Sequence, residues 1–573
     1  MRIRRFARMA VVLLLVPCAG STQTLAPGLA KQVDKVFAKW DREDSPGCAL
    51  GVYRGGQVVY KRGYGMEDLN EGVHITPETV FHVASMSKQF TAASIVLLAT
   101  QGKLSLDDDV RKYIPELPDF GLRITIRNLV HHTSGLRDQW ELLELAGWRY
   151  SKDLITDDDV MSVMTRQKEL NFKPGERYVY CNTGYTLMGL VVKRVSGMTL
   201  REFTTKNVFE PLGMTHTHFR DDHAEILKHD AVGYEQQPGK PFEISITNFD
   251  TVGATSLHTT VEDLQRWDEN FYHPKVGGTA FVQQMLERGK LNNGEQLDYA
   301  FGLFVGKYKG LPTVDHGGGD AGYRSDMTRF PEQHFSAAVL CNSAEAEPSA
   351  LVRQVADLVL AKEIKAAERT TPEKEAAARS TARAAAVVPT ADQMEGFTGL
   401  YWNREDDAFV KIFVTDGKLK GDLGGEEPLV LKPFAESRFH IADKPWGDEV
   451  EIHFAAPSAD KPRRMEQSFG GGKPTVFEAT EAFSPTGAEL AEYAGAYVSE
   501  EIDPVYRIGV DGEKLNLARL KHTTATLRPA VRDVFTGQIG TLRFTRDPAS
   551  GHVSGFVLNA GRVQNFHFVK RVN

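Results

Sequence analysis

The segment from Ser85 to Gln101 is the feature that most restricts how this chain can fold. Its sequence, SMSKQFTAASIVLLATQ, is mostly apolar or small and carries a single charge, at Lys88. A helix that is hydrophobic on all sides is normally buried in a large core. A lysine in its first turn is disfavoured by desolvation and by the positive end of the helix dipole. The segment therefore predicts a buried helix, closed at Gly102, in which Lys88 serves some chemical purpose.

Ser85 and Lys88 form an S-x-x-K pair at the start of this helix. Residues three apart share one helix face, so the Lys88 amine can reach the Ser85 hydroxyl. Burial favours a neutral amine, which can take the serine proton. The backbone N–H of Ser85, at the helix N-terminus, can face an oxyanion. The pair alone is a weak signal, because many helices contain it by chance.

A second motif, Tyr180-Cys181-Asn182, lies in the segment GERYVYCNTGYTL. In an extended loop, alternate residues face the same way, so the Tyr180 phenol and the Asn182 amide can converge while Cys181 points away. A tyrosine beside an amine can pass a proton to a leaving group, and Asn182 can hydrogen-bond Lys88 or a substrate carbonyl. On its own, a loop tyrosine is usually structural.

A third motif, His316-Gly317-Gly318-Gly319, follows a strand-like run. Consecutive glycines let a substrate backbone lie against the protein backbone and leave N–H groups free to donate. We expect an edge strand here, with the Gly319 N–H as a second oxyanion donor.

In this order along the chain, the three motifs resemble those of the serine β-lactamase and penicillin-binding-protein superfamily, specifically its class C-like branch. The resemblance covers residues 28–365. It implies an α/β (α+β) β-lactamase/transpeptidase-like domain, with an antiparallel sheet flanked by helices. It also implies that Ser85 attacks an amide or ester carbonyl while Lys88 and Tyr180 move protons. It further implies that four other residues of the motifs bind and support the substrate: Asn182, His316, Gly318 and Gly319.

The region after residue 390 alternates apolar and polar residues, with frequent turn signals. It also repeats itself, because Gly399 and Tyr401 recur 96 residues later as Gly495 and Tyr497. We predict a linker over 366–390 and two small antiparallel, lipocalin-like β-barrel modules, over 391–484 and 488–573.

This arrangement resembles that of bacterial D-aminopeptidases, in which a loop of the last barrel is understood to reach the active site. The corresponding hairpin is expected at Val534 to Asp547, where it is too tight to supply a long loop. The sequence therefore leaves several activities open. They are a D-aminopeptidase-like hydrolase, a β-lactamase or D,D-carboxypeptidase, a family VIII-type esterase, and a catalytically relic protein whose barrels bind a ligand.

The N-terminus has the layout of a cleavable secretory signal over residues 1–21: arginines, a short apolar run, then small residues. Lipidation at Cys18 stays open, although Pro17 stands where a small residue is expected. Removing four arginines and no acidic residue takes the formal charge from −8 to −12. We expect a periplasmic or secreted protein with no membrane-spanning segment after cleavage, a small-molecule or peptide substrate, and no nucleic-acid partner. The oligomeric state is left open.

No cofactor or metal is expected. The segment HTHFRDDH resembles a metallo-hydrolase pattern but is one residue too long, and GGGDAG lacks the βαβ context of a dinucleotide site. The remaining cysteines, Cys48, Cys181 and Cys341, are scattered and form no C-x-x-C pair. We interpret them as small buried residues and predict no disulfide framework.

Overall fold

A computed structural model describes residues 24–370, 389–405, 407–422, 428–442, 450–455, 462–469 and 474–571, without the side chains of 367–370 and 469. The predicted signal peptide, Cys18, and residues 371–388 of the predicted linker lie outside these ranges. No described helix has both the length and the apolar character needed to cross a membrane.

The first part of the chain contains thirteen described strands, twelve described helices and several short turns of other helix types. The strands are β1 Cys48–Arg54, β2 Gln57–Tyr64, β3 Met66–Asp68, β4 Val73–His74, β5 Phe81–His82, β6 His218–Phe219, β7 Tyr234–Gln236, β8 Phe242–Ile244, β9 Leu257–Thr259, β10 Phe304–Tyr308, β11 Leu311–Asp320, β12 Tyr323–Phe330 and β13 Phe335–Cys341. The helices are α1 Pro27–Val36, α2 Ser87–Thr100, α3 Ile126–Val130, α4 Gln139–Leu145, α5 Asp157–Met164, α6 Asn182–Ser196, α7 Leu200–Thr204, α8 Glu210–Leu212, α9 Val261–Glu269, α10 Gly278–Met285, α11 Pro348–Val359 and α12 Ala361–Thr370. The 3₁₀ turns are Ala84–Met86, Val110–Lys112 and Pro331–Gln333, and a π turn covers Thr205–Phe209.

Six of these strands form one antiparallel sheet in the order β10-β11-β12-β13-β1-β2. Alternate side chains of β1 enter different apolar layers, because successive residues of a strand face opposite sides. Leu50 and Val52 pack in the layer that contains α1 and α11, whereas Ala49 and Tyr53 join the layer that contains α2 and α6. The predicted sheet flanked by helices is confirmed.

Helix α2 lies at the centre of the larger apolar layer, and every residue from Ser87 to Leu98 is buried. The predicted buried helix is therefore confirmed, although its first turn, Ala84–Met86, is a 3₁₀ turn. On the same side of the sheet, Thr260 caps α9 by accepting from the Asp263 N–H at 3.2 Å.

The prediction of no disulfide is wrong, because Cys48 and Cys341 are bonded to each other. They are partners in the register of β1 with β13, although 293 residues separate them in sequence. The spacing of the cysteines in the sequence could not reveal the bond. The two thiols meet because β1, the first strand of this sheet along the chain, pairs with β13, the last one. Cys181 is a buried free cysteine, as predicted.

Two closed eight-stranded antiparallel barrels follow, which confirms the predicted pair of β-barrel modules. Barrel 1 consists of β14 Gly399–Asn403, β15 Ala408–Thr415, β16 Lys418–Asp422, β17 Leu429–Ala435, β18 Arg438–Ile441, β19 Val450–Ala455, β20 Arg464–Phe469 and β21 Thr475–Thr480, after helix α13 Ala391–Phe397. Barrel 2 consists of β22 Gly495–Val498, β23 Tyr506–Asp511, β24 Lys514–Ala518, β25 Ala525–Val531, β26 Val534–Gly537, β27 Gly540–Arg546, β28 Val553–Ala560 and β29 Val563–Lys570, after helix α14 Gly487–Ala491.

The sequence repeat has a structural cause in the first strand of each barrel. Gly399 and Gly495 both adopt positive φ, 137° and 150°, which favours glycine. Two residues later, the buried Tyr401 and Tyr497 donate their hydroxyls to carbonyls four residues upstream, at 2.8 and 2.6 Å. The repeated glycine and tyrosine thus fix the entry of the chain into each barrel.

The two barrels differ in their packing. Barrel 1 has its own apolar cluster, in which Tyr401, Phe439 and Phe454 fill the interior. The interior of barrel 2 is continuous with the apolar layer that contains α2 and α6. Barrel 2 therefore shares one core with the domain formed by β1–β13 and α1–α12, which we call the first domain.

Candidate active site

Ser85 lies in the tight turn that leads into α2. The preceding residue, Ala84, has φ 48°, a left-handed conformation that is unfavourable for residues other than glycine. The turn is held by Ser87, whose hydroxyl donates to the Ala84 carbonyl at 2.5 Å and accepts from the Leu257 N–H at 3.0 Å. This strained turn presents the half-buried Ser85 to a cavity of about 760 Å³.

Lys88 is fully buried one turn further along, and its Nζ has three oxygen neighbours. They are Ser85 Oγ at 3.1 Å, Asn182 Oδ1 at 2.8 Å and the Ala254 carbonyl at 2.8 Å. Burial lowers the pKa of Lys88 to about 7, against the opposing effect of the Asp138 and Asp320 carboxylates. A neutral amine donates two hydrogen bonds, so the two carbonyl oxygens satisfy its protons and its lone pair faces Ser85.

Asn182, the first residue of α6, is oriented by Asp138. Asp138 Oδ2 accepts from both the Asn182 backbone N–H, at 2.6 Å, and the Asn182 Nδ2, at 3.0 Å. A carboxylate can only accept, so the amide nitrogen must face Asp138 and the amide oxygen must face Lys88. Asp138, the residue before α4, therefore determines which atom of Asn182 Lys88 meets.

Tyr180 is a further neighbour of Lys88, whose Nζ is 4.8 Å from the centre of the tyrosine ring. Burial raises the pKa of Tyr180 well above its usual range, while a hydrogen bond to Ser85 opposes that rise. His132 packs against the same ring at 4.3 Å. Tyr180 is thus a neutral phenol that can donate a proton, whereas Lys88 is the group suited to accept one.

The glycine run lies at the end of β11, which packs against the turn that carries Ser85. A Cβ on Gly318 would lie 2.4 Å from the Val83 carbonyl oxygen and 2.9 Å from the Ser85 nitrogen. Such a close approach between backbones leaves no room for a side chain. Gly318 therefore allows the strand to lie directly beside Ser85.

The register of β11 determines which of its N–H groups face the cavity. Asp320 and Tyr323 flank a two-residue turn and form a hydrogen-bonded pair, so the N–H groups of Gly317 and Gly319 face the other edge of β11. On that edge, pairing with β10 ends at Asp315. The Gly319 N–H thus lies on an open strand edge beside Ser85, the position expected of a second oxyanion donor.

His316 lines the cavity, but both of its ring nitrogens are engaged. Nδ1 lies 2.6 Å from the Gly317 carbonyl and Nε2 lies 3.2 Å from the Tyr299 hydroxyl. Burial and the nearby Lys88 lower the pKa of His316 to about 3, so the ring is neutral. His316 therefore supports the shape of the site and is unsuited to carry a positive charge toward substrate.

The cavity has an aromatic wall and cationic groups at its rim. Trp140, from α4, stacks on Phe249 at 4.8 Å and meets the edge of Tyr150 at 5.3 Å. Arg324 and Arg562 also line the cavity. An apolar group next to the scissile bond can pack on the aromatic wall.

Arg562 comes from barrel 2, so this barrel reaches the cavity, although through a different turn from the hairpin expected to correspond to the D-aminopeptidase loop. The hairpin at Val534 to Asp547 does not line the cavity; the turn between β28 and β29 does, through Arg562. The side chain needs no long loop, because barrel 2 shares a core with the first domain and bonds α4 through Tyr506, Arg519 and Arg562. This contact could not be predicted from the local sequence, since Gly561-Arg562 resembles any short hairpin turn.

Two residues of the segment HTHFRDDH, Asp222 and His223, lie close to Asp250. One potential metal-ligand atom from each of the three residues falls within 4.8 Å of the other two. His223 Nδ1 is 3.0 Å from both Asp250 oxygens, and Asp222 Oδ1 accepts from the Ala224 N–H at 2.9 Å. The predicted site residues, by contrast, converge: Ser85, Lys88, Tyr180, Asn182, His316, Gly318 and Gly319 are brought to one place.

Comparisons with known proteins agree with this geometry. The family model described as Beta-lactamase matches residues 33–362. Penicillin-binding protein 4* of Bacillus subtilis (strain 168) is 28% identical over 403 residues, covering 68% of this chain and 86% of that protein. Protein flp of Staphylococcus aureus (strain N315) is 31% identical over 325 residues, covering 54% of this chain and 63% of that protein. The octameric penicillin-binding protein homologue from Pyrococcus abyssi superposes with a TM-score of 0.53 at 23% identity, covering 79% of this chain and 99% of that one.

Proposed function

The chain belongs to the Beta-lactamase family and is a serine hydrolase of the β-lactamase and penicillin-binding-protein kind, and we propose that it works through an acyl-enzyme at Ser85. The observation that carries this proposal is the position of Lys88. Its Nζ lies 3.1 Å from Ser85 Oγ, while two carbonyl oxygens hold its remaining protons.

In the acylation step, the neutral Lys88 takes the Ser85 proton as Oγ attacks the substrate carbonyl. The N–H groups of Ser85 and Gly319 hold the negative charge that develops on the carbonyl oxygen. Tyr180 donates its proton to the leaving nitrogen or oxygen and recovers one from Lys88. The bond to the leaving group then breaks, and the acyl group stays on Ser85.

Deacylation reverses these transfers with water as the nucleophile. The water gives its proton through Tyr180 and Lys88 as it attacks the ester, and Ser85 leaves with a proton. No further general base is required, because the same pair is restored to its starting protonation state at the end of acylation. The acid product then dissociates from the cavity.

The substrate class that fits best is a small peptide, amide or ester with a D-residue, as in D-aminopeptidase-like enzymes. Support comes from the aromatic wall of Trp140 and Tyr150, and from the barrel 2 hairpin at the cavity. A β-lactamase, a D,D-carboxypeptidase and a family VIII-type esterase use the same Ser85 chemistry and remain the alternatives. A relic without catalysis is disfavoured by the intact contacts among Ser85, Lys88 and Asn182.

The test is a panel of D-aminoacyl p-nitroanilides, their L-counterparts, p-nitrophenyl esters and a chromogenic cephalosporin, run with wild type and Ser85→Ala. We expect turnover of D-aminoacyl amides above L-amides, and its loss in Ser85→Ala. Preferential cephalosporin or ester turnover would select an alternative. Full turnover by Ser85→Ala on every substrate would overturn the proposal.

We also propose export to the periplasm or the medium. The Cys48–Cys341 disulfide supports it, because such bonds persist in oxidising compartments. The N-terminal sequence supports it independently. Fractionation of the native producer should find the protein outside the cytoplasm with its N-terminus near residue 22; an intact cytoplasmic chain would contradict the proposal.

A further inference from the structure

We propose that barrel 2 completes the catalytic centre: Arg562 balances the buried charge of Asp138, and Lys88 can therefore act as a base at neutral pH. In this role Arg562 is a positioning residue that acts through Asp138 and Asn182. The inference rests on the proposed function of Lys88.

A continuous series of contacts leads from the barrel to the amine. Arg562 Nη1 lies 3.4 Å from Asp138 Oδ2. The same oxygen accepts from Asn182 Nδ2 at 3.0 Å, and Asn182 Oδ1 accepts from Lys88 at 2.8 Å. Asp138 is fully buried. A buried carboxylate close to Lys88 favours the ammonium form of the lysine, and a cation beside that carboxylate opposes the effect.

The position of the Arg562 backbone is fixed by the first domain. Its carbonyl accepts from the Asp138 N–H at 3.3 Å and from Asn171 Nδ2 at 2.8 Å. Beside it, the Gln564 N–H donates to Asn171 Oδ1 at 2.8 Å. Arg137, fully buried, donates to the Gln564 and Asn565 carbonyls at 3.0 and 2.6 Å. The hairpin is thereby held at the site by Arg137, Asp138 and Asn171.

Glu141 competes little for the charge of Arg562, although its Oε1 accepts from Arg562 Nε at 2.8 Å. Burial and the adjacent Asp138 carboxylate raise the pKa of Glu141. This shift favours the neutral form of Glu141, which accepts the hydrogen bond without neutralising the guanidinium. The charge of Arg562 is then available to Asp138.

The other groups that face Lys88 do not supply this balance. Burial lowers the pKa of His132 and His316 and raises the pKa of the phenols and thiol around the amine, so these groups are uncharged near neutrality. The titratable and charged groups that surround Lys88 are Asp138, Asp320, Arg562, His132, His316, Tyr180, Tyr185 and Cys181. Arg562 is thus the cation of this set, and it opposes the two carboxylates that favour a protonated Lys88.

The experiment measures how fast a fluorophosphonate probe labels Ser85 between pH 5 and 9.5 in the full-length protein. In Arg562→Met, we expect the midpoint of the acidic limb to rise by about 0.5–1 pH unit, so that labelling at pH 6 is about 3–10-fold slower. At pH 9.5 the rate should return toward that of wild type, because Lys88 is then neutral in both proteins. Arg562→Lys, which keeps the charge, should restore most of the wild-type midpoint.

Two further variants separate charge from structure. Asp138→Asn removes the charge that Arg562 balances and should move the midpoint in the opposite direction, to lower pH. Arg519→Met is the matched control, because Arg519 is another barrel 2 arginine that bonds α4, through Glu144 at 3.0 Å, without contacting Asp138. Its midpoint should equal that of wild type.

The outcomes are distinguishable. A pH-independent loss of labelling in Arg562→Met, or an unchanged midpoint, overturns the inference and leaves the proposed function intact. No labelling of Ser85 in the wild-type protein removes the proposed function and the inference together. Thermal unfolding of each variant verifies that it is folded during the measurement.

Discussion

Asn182 presents its amide oxygen to Lys88 at 2.8 Å because Asp138 holds its amide nitrogen. This orientation gives the lysine an acceptor for one proton, and the Ala254 carbonyl accepts another at 2.8 Å. The remaining position on the nitrogen faces Ser85. These contacts explain how Lys88 can be fully buried in an apolar helix and still present its amine to the Ser85 hydroxyl.

The first prediction concerns pH. The pKa of Lys88 is lowered to about 7, and in the proposed mechanism the deprotonated amine is the active form. Below pH 7, kcat/KM should therefore fall about tenfold per pH unit, and above pH 8 it should level off. Because the pKa of Tyr180 is raised well above its usual range, no alkaline loss is expected up to about pH 9.5. A profile of kcat/KM against pH on any turned-over ester checks this; a rate that increases as the pH falls would contradict it.

The second prediction concerns the approach of β11 to Ser85. Gly318→Ala should lower kcat/KM by about 10²-fold or more, because the new Cβ forces apart the strand and the turn that together hold the oxyanion. The control is Gly306→Ala on β10, where the nearest atom to a new Cβ is 3.7 Å away. It should retain near wild-type activity. Equal activity of the two variants would show that the close packing of β11 is unimportant.

The third prediction concerns the attachment of barrel 2. The buried Arg137 contacts Glu501 Oε2 at 2.6 Å, and both side chains are at most 4% exposed. Arg137→Met leaves a carboxylate buried without its partner, so we expect about 3–5 kcal/mol less free energy of unfolding. Arg166→Met is the control, since its partner Asp503 is 88% exposed and such pairs contribute about 0–1 kcal/mol. Denaturant unfolding measures both; a similar small change in the two variants would rule out the attachment role.

The fourth prediction concerns the disulfide. Reduction, or the double change Cys48→Ala and Cys341→Ala, should lower the free energy of unfolding by about 2–5 kcal/mol, because the bond closes a long loop in the unfolded chain. The midpoint of thermal unfolding with and without dithiothreitol measures the effect. The free Cys181 makes no such bond, so Cys181→Ala should leave the response to dithiothreitol unchanged.

Local pattern was enough to predict the elements whose cause is local. The apolar run after Ser85 predicted α2, and the recurring Gly399 and Tyr401 predicted two similar modules. The three motifs predicted which residues lie together at the cavity. Their order along the chain and the spacing within each motif resemble those of the family.

Long-range contacts were not accessible in the same way. The Cys48–Cys341 bond depends on which strands pair in the sheet, and the arrival of Arg562 depends on how a barrel packs on α4. The role of Asp138 became evident only from its contacts with Asn182. These relations arise from tertiary packing, to which the neighbouring sequence contributes little.

We propose that Ser85 carries the acyl group and that Lys88 activates it. The most direct measurement is acid-quenched mass spectrometry of the protein during turnover of a p-nitrophenyl ester, with peptide mapping of the adduct. We predict a burst of about one equivalent of p-nitrophenol per active site and the acyl mass on the peptide that contains Ser85, with both absent in Ser85→Ala and much slower to form in Lys88→Met. Steady turnover without any covalent adduct on Ser85, persisting in Ser85→Ala, would contradict the account.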